Sequence, residues 1–157
     1  MKLRLITKDA SDPNNEIYLD AVQFFLKKLL GDSEYDHVNR VDIKTDAIMG
    51  SWGECFTRTL INGKITVRIK FRQNLNFIEN LRTLAHECVH AAQFITKKLR
   101  ITRKAGHWYW INRNYGINPY NGLTVDEIYS KLPWEKEAMS LEDSLAKEYL
   151  DYYCRNN

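Results

Sequence analysis

The sequence predicts an α+β fold on three observations: two β-rich runs flanking Asn62-Gly63, a long helical stretch with a continuous apolar stripe, and a second long helix near the C-terminal end. The 157 residues suit one domain, spanning 1–157. Hydrophobic residues make up 44% and charged residues 27%, ordinary proportions for a packed chain that exclude wholesale disorder. No repeat, low-complexity tract or linker divides the sequence.

Taken in order, residues 2–7 alternate as a short strand. Ser11-Asp12-Pro13 opens a helix that carries Ile17, Ala21, Phe24, Phe25 and Leu29 at helical spacing and ends at Gly31. Residues 38–45 read as a second strand. Asn62-Gly63 between the runs 54–61 and 64–71 marks a hairpin, with a type I′ turn expected because both residues tolerate positive φ. The second arm sets Ile65, Val67, Ile69 and Phe71 on one face and Thr66, Arg68, Lys70 and Arg72 on the other, one side core and one side wet.

A long helix follows over about residues 76–96, its buried stripe formed by Phe77, Leu81, Leu84, Ala85, Cys88, Val89, Ala92 and Ile95. The polar and aromatic stretch 97–124 gives no clear periodicity and closes in the turn cluster Asn118-Pro119-Tyr120-Asn121-Gly122. The last helix begins near Pro133, suited to a first helical position because it has no N–H to satisfy, and runs to about residue 153.

The net charge of +3 is too small to demand a nucleic-acid partner. Its one local concentration, Lys97, Lys98, Arg100, Arg103 and Lys104, reads first as a solvated face, with contact to an anion such as nucleic acid the lesser reading. Three widely spaced cysteines, Cys55, Cys88 and Cys154, form neither a disulfide framework nor a zinc knuckle and suit a reducing compartment. Charge follows the start of the chain too soon for a signal-peptide core, and no apolar run approaches a membrane span of roughly 18 residues. A soluble, cytoplasmic protein is expected.

The chemistry is concentrated in His86-Glu87-Cys88-Val89-His90. On a helix, residues four apart lie one turn apart on one face, so both imidazoles can reach one ion. Zinc accepts neutral imidazole nitrogen and at catalytic sites takes three protein ligands plus water. Glu87, next to the first ligand, is placed to take a proton from that water.

A third ligand must come from His107, Glu135 or Glu137. On a helical wheel Met139, Ala146, Tyr149, Leu150 and Tyr153 cluster on one side of the last helix, flanked by Trp134, Ala138 and Leu145. Glu135 falls inside this apolar sector, and Glu137 lies opposite among Ser140, Ser144, Lys147 and Asp151. A lone carboxylate facing a core is costly unless paired or metal-bound, whereas Glu137 can be solvated, so Glu135 is the better ligand. Glu142, two turns on, reads as a solvated glutamate that could alternatively support a ligating histidine.

The segments Leu84-Ala85-His86-Glu87-Cys88-Val89-His90-Ala91-Ala92-Gln93 and Leu132-Pro133-Trp134-Glu135-Lys136-Glu137-Ala138 resemble the HExxH…PWExEA pattern of small metallopeptidases of bacteriophages and bacteria, a gluzincin-type arrangement similar to thermolysin-like and ImmA/IrrE-like proteins. The resemblance covers about residues 50–145. It implies a zincin-like fold: a small mixed β-sheet packed on the HExxH helix, with the C-terminal helix supplying the third ligand. It further implies zinc held by His86, His90 and Glu135, with Glu87 as general base for hydrolysis of a peptide or protein substrate. The strand 64–71, at or near the sheet edge, would align that substrate by strand addition. Where relatives carry an acidic or amide residue four after the ligand, this chain has Met139.

Gly106-His107 also resembles the third-ligand motif of SprT-like, DNA-associated proteases, although no cysteine pairs for a zinc ribbon accompany it. If His107 is not a ligand, it, Tyr109 or Tyr129 could stabilise an oxyanion. A non-catalytic zinc protein of a phage virion or host-interaction system is the remaining alternative. Ligand type alone also leaves manganese, cobalt or nickel open.

Overall fold

The computed structural model describes residues 1–6, 12–46, 53–72 and 76–157; the expectations placed on Thr7 and Ser11 lie outside them. Among the described residues the chain is mixed α+β, with four helices and seven strands in two sheets. The larger sheet contains β1 (Lys2–Ile6), β2 (Val38–Asp46), β3 (Gly53–Thr59) and β4 (Ile65–Arg72) in the order β1-β2-β4-β3. Parallel pairing of β1 with β2 requires a crossover, which α1 (Asn15–Tyr35) provides. Gly31, at φ 68° and ψ 173°, is non-helical and ends the first helical run as expected; a short second run beyond it carries α1 on to Tyr35.

The alternation read in the second hairpin arm holds. Val67, Ile69 and Phe71 of β4 are buried and Arg68 is exposed. The strand lies next to the sheet edge as expected, but the substrate-pairing role expected of it does not hold. β4 is bonded on both sides, parallel to β2 and antiparallel to β3, so its backbone groups are not free to receive a substrate strand. Among the described residues β3 is the edge on this side of the sheet, with β1 the edge on the other. The hairpin turn differs too. Gly63 alone is left-handed, at φ 78°, and its N–H donates to Leu60 O at 3.0 Å. Asn62 keeps negative φ, and its side-chain oxygen accepts from Lys64 N at 3.1 Å. The loop is thus a turn centred on Ile61-Asn62 closed by a left-handed glycine, the three-residue solution to the same problem.

Helix α2 (Phe77–Ile95) starts at Asn76 with a capping box: the Asn76 side chain accepts from Glu79 N, and Glu79 accepts from Asn76 N. The stripe Leu81, Leu84, Ala85, Cys88, Val89, Ala92 and Ile95 is buried as the spacing requires. It packs on β3 and β4, on α1, and on α4 (Pro133–Asn156). Truncating a fully buried member such as Leu84 should cost about 2–5 kcal/mol. In α4, Trp134, Glu135, Ala138, Leu145, Ala146 and Tyr149 face inward. Met139 does not: it is 52% exposed, because the helix buries a narrower sector than its apolar residues span.

The stretch 97–124 forms a second, antiparallel sheet, β5 (Leu99–Ile101), β6 (His107–Trp110) and β7 (Arg113–Ile117). A short helix, α3 (Val125–Lys131), follows it with its own capping box between Thr124 and Glu127. The sheet and the start of α4 enclose a second core of Leu99, Leu132 and Trp134 with Trp108, Trp110, Tyr115 and Tyr120 around it. Trp108 stacks on Trp134 with ring centroids 5.5 Å apart.

Candidate metal centre

Two elements make the site. His86 and His90 lie one turn apart on α2, and Glu135 lies in the first turn of α4, where the positive end of the helix favours a carboxylate. Packing of α4 on α2 brings the three together. His86 Nε2 is 3.1 Å from His90 Nε2 and 3.2 Å from Glu135 Oε2, and His90 Nε2 is 3.4 Å from the same oxygen. A tetrahedral ion with bonds of about 2.0–2.1 Å requires its ligand atoms about 3.3 Å apart. The observed triangle has that size. Among the described residues this is the one group of three or more potential ligands that could hold a metal ion.

The far side of each ligand is also occupied. His86 Nδ1 is 2.7 Å from Glu142 Oε2, and since a carboxylate only accepts, that nitrogen carries the proton. Glu142 is itself held by Arg82 at 3.0 Å. His90 Nδ1 donates to Gln93 Oε1 at 2.9 Å, because the Gln93 nitrogen is committed to Trp134 O at 3.0 Å and Glu137 Oε2 at 2.9 Å. With both Nδ1 atoms as donors, each ring in its neutral form aims its Nε2 lone pair at one point. Glu135 Oε2 faces that point, while Oε1 accepts from Tyr120 O–H at 2.5 Å. The Tyr120 oxygen accepts in turn from Trp134 Nε1 at 2.6 Å.

Three converging acceptors favour positive charge between them, and the acidities follow. Burial alone would lower the His86 pKa, but hydrogen bonds to Glu135 and Glu142 and the charge of Glu87 outweigh it and push it up to about 10. Burial alone would raise Glu135, yet its contacts with His86 and His90 hold it well below the usual carboxylate range. Tyr120 is raised, by burial and then by the Glu135 charge, so it stays a donor.

Glu87 sits beside this triangle, only 5% exposed. Burial pushes its carboxyl up to about 7, against the lowering influence of His90 and His86. A carboxyl poised near neutrality can accept a proton and return it. Strand β3 crosses directly over it at Gly53, so that a larger residue there requires the Glu87 side chain to shift.

The remaining sequence candidates divide. His107, on β6, is not brought to the triangle; its ring lies 3.3 Å from Asn114 Oδ1, and Asn114 also donates to the Tyr109 hydroxyl. Tyr129 stands edge-on to His86, ring centroids 6.3 Å apart. Glu137 is not simply solvated, since Gln93 and Lys98 both donate to it. Glu142 is not a free surface glutamate: it accepts from His86 and from Arg82, as its alternative reading expects. Tyr120 and Gln93 went unrecognised. Gln93 stands one turn from His90 and was a discoverable partner, whereas Tyr120 reads only as part of a turn cluster.

No family model matches the chain, and no curated protein or solved structure matches it either. Among the described residues, no helix is long and apolar enough to cross a membrane.

Proposed function

We propose that the chain is a zinc-dependent metallopeptidase of zincin-like fold, with His86, His90 and Glu135 as ligands and Glu87 as general base. The observation that carries the reading is the triangle of two imidazole nitrogens and one carboxylate oxygen, sized for a tetrahedral ion and lying beside a buried carboxyl. Two neutral imidazoles and one carboxylate suit zinc and are a known catalytic donor set.

When bound, zinc supplies Lewis acidity, polarising a carbonyl oxygen and making water acidic enough to attack near neutral pH. The other steps belong to the chain. Glu142 and Gln93 hold the imidazoles with Nε2 forward. Tyr120 holds one oxygen of Glu135, leaving the other for the ion. Glu87 removes a proton from the attacking water and delivers it to the departing amine. The β3 edge, next to Glu87, is the surface on which an extended peptide would pair; this replaces the interior β4 in that role. The SprT-type arrangement needs His107 at the ion and lacks that geometric support.

The test is peptide cleavage by zinc-loaded protein, read by mass spectrometry on a mixed peptide pool. Glu87→Gln should keep zinc and lose about 10²–10⁴-fold in turnover. A non-catalytic zinc protein would give no cleavage in either form.

A further inference from the structure

Glu137 looks dispensable by sequence, two residues past a ligand and on the polar side of α4. Its surroundings say otherwise. Oε2 accepts from the Gln93 side-chain nitrogen at 2.9 Å, and Oε1 accepts from Lys98, whose ammonium also lies 5.0 Å over the Trp110 ring. Gln93 is buried at 2% exposure and bonds at both ends of its amide. Its nitrogen meets two acceptors, Glu137 and the Trp134 carbonyl, and its oxygen meets His90 Nδ1.

A carboxamide can be turned end for end at little steric cost, and the direction decides the tautomer of its imidazole partner. With oxygen toward His90, Nδ1 carries the proton and Nε2 offers its lone pair to the triangle. Reversed, the amide nitrogen would donate to Nδ1, the proton would move to Nε2, and His90 could not ligate. The Trp134 carbonyl alone opposes reversal with one acceptor. Glu137 adds a second, charged acceptor on the same nitrogen, and Lys98 fixes its carboxylate from the other side. His86 needs no such lock, because the Glu142 carboxylate can only accept.

We infer that Glu137 is a positioning residue that selects the metal-binding tautomer of His90 through the Gln93 amide. The inference rests on the metal-site reading above and adds a residue to it that touches neither ligand nor ion.

Competitive chelator titration of zinc, with cobalt(II) absorption as a second readout of ligand geometry, tests it on four proteins. Glu137→Leu removes the acceptor and should weaken zinc affinity about 10–100-fold and alter the cobalt spectrum. Glu137→Gln keeps an oxygen for the Gln93 nitrogen and should restore affinity to near the unsubstituted level. Lys98→Met leaves the Glu137–Gln93 bond and should have the smaller effect of the two losses. A folded Glu137→Leu protein that binds zinc as tightly as the parent overturns the inference. So does a Glu137→Gln protein as weak as Glu137→Leu, since rescue depends on the acceptor. Failure of the unsubstituted protein to bind zinc would instead remove the metal-site reading, and this inference with it, and is distinguishable because it appears before any substitution.

Discussion

A Cβ built on Gly53 of β3 would stand 2.5 Å from Oε1 and 2.8 Å from Cγ of Glu87 on α2. The strand therefore reaches the base only because that position has no side chain. Thr83 Cγ2, at 2.8 Å, would crowd the added methyl as well.

Gly53→Ala should accordingly push Glu87 out of place while leaving the three ligands intact. Displacing a catalytic group by about 1 Å can cost roughly 10²-fold. The check is paired: zinc content unchanged, peptide turnover down by about that factor. Equal turnover in the two proteins would show that Glu87 does not work from its observed position.

Tyr120→Phe removes two hydrogen bonds at once, the donation to Glu135 and the acceptance from Trp134. Trp134 is fully buried, so its N–H would lose its partner at a cost of about 1–3 kcal/mol. Zinc affinity should fall about 10–100-fold as Glu135 loses its restraint. Thermal melting and chelator competition read the two effects separately, and loss of neither would place Tyr120 outside the site.

Acid should open the start of α3. Lys131, then the Thr124 N–H and hydroxyl, lower the Glu127 carboxyl from the ordinary 4.5 to about 2. Because the folded value lies below the unfolded one, the stabilisation is complete above about pH 4.5 and fades as pH falls through about 2. The protection of the Thr124 and Glu127 amides from exchange, relative to the intrinsic rate at each pH, should fall over that window. Glu127→Gln should flatten the profile; an unchanged slope would show that the cap does not report on this carboxyl.

Much of this arrangement was legible in the residues. The α2 stripe, both long helices, the β4 alternation and the inward placement of Glu135 follow from period and polarity, which buried faces obey closely. The second sheet did not announce itself. Its strands are three to five residues long, and the loop between β6 and β7 puts Ile111 at φ 55°, a β-branched residue where turn chemistry favours Asn or Gly. Strand order was equally hidden, because alternation along β4 specifies which face is buried but not which neighbours it has. The partners of the ligands depend on contacts between distant elements: Glu142 meets His86 only once α4 lies along α2, and Tyr120 meets Glu135 only across the second core. Met139 misled because an apolar residue at a helical position need not be buried.

The most direct measurement is the metal content of purified protein after zinc exposure and removal of excess ion. One zinc per chain is expected for the unsubstituted protein and for His107→Ala, and close to none for His86→Ala, His90→Ala or Glu135→Ala. Zinc retained by folded Glu135→Ala and lost from His107→Ala would contradict the assignment, and a parent protein that holds no ion would remove its foundation.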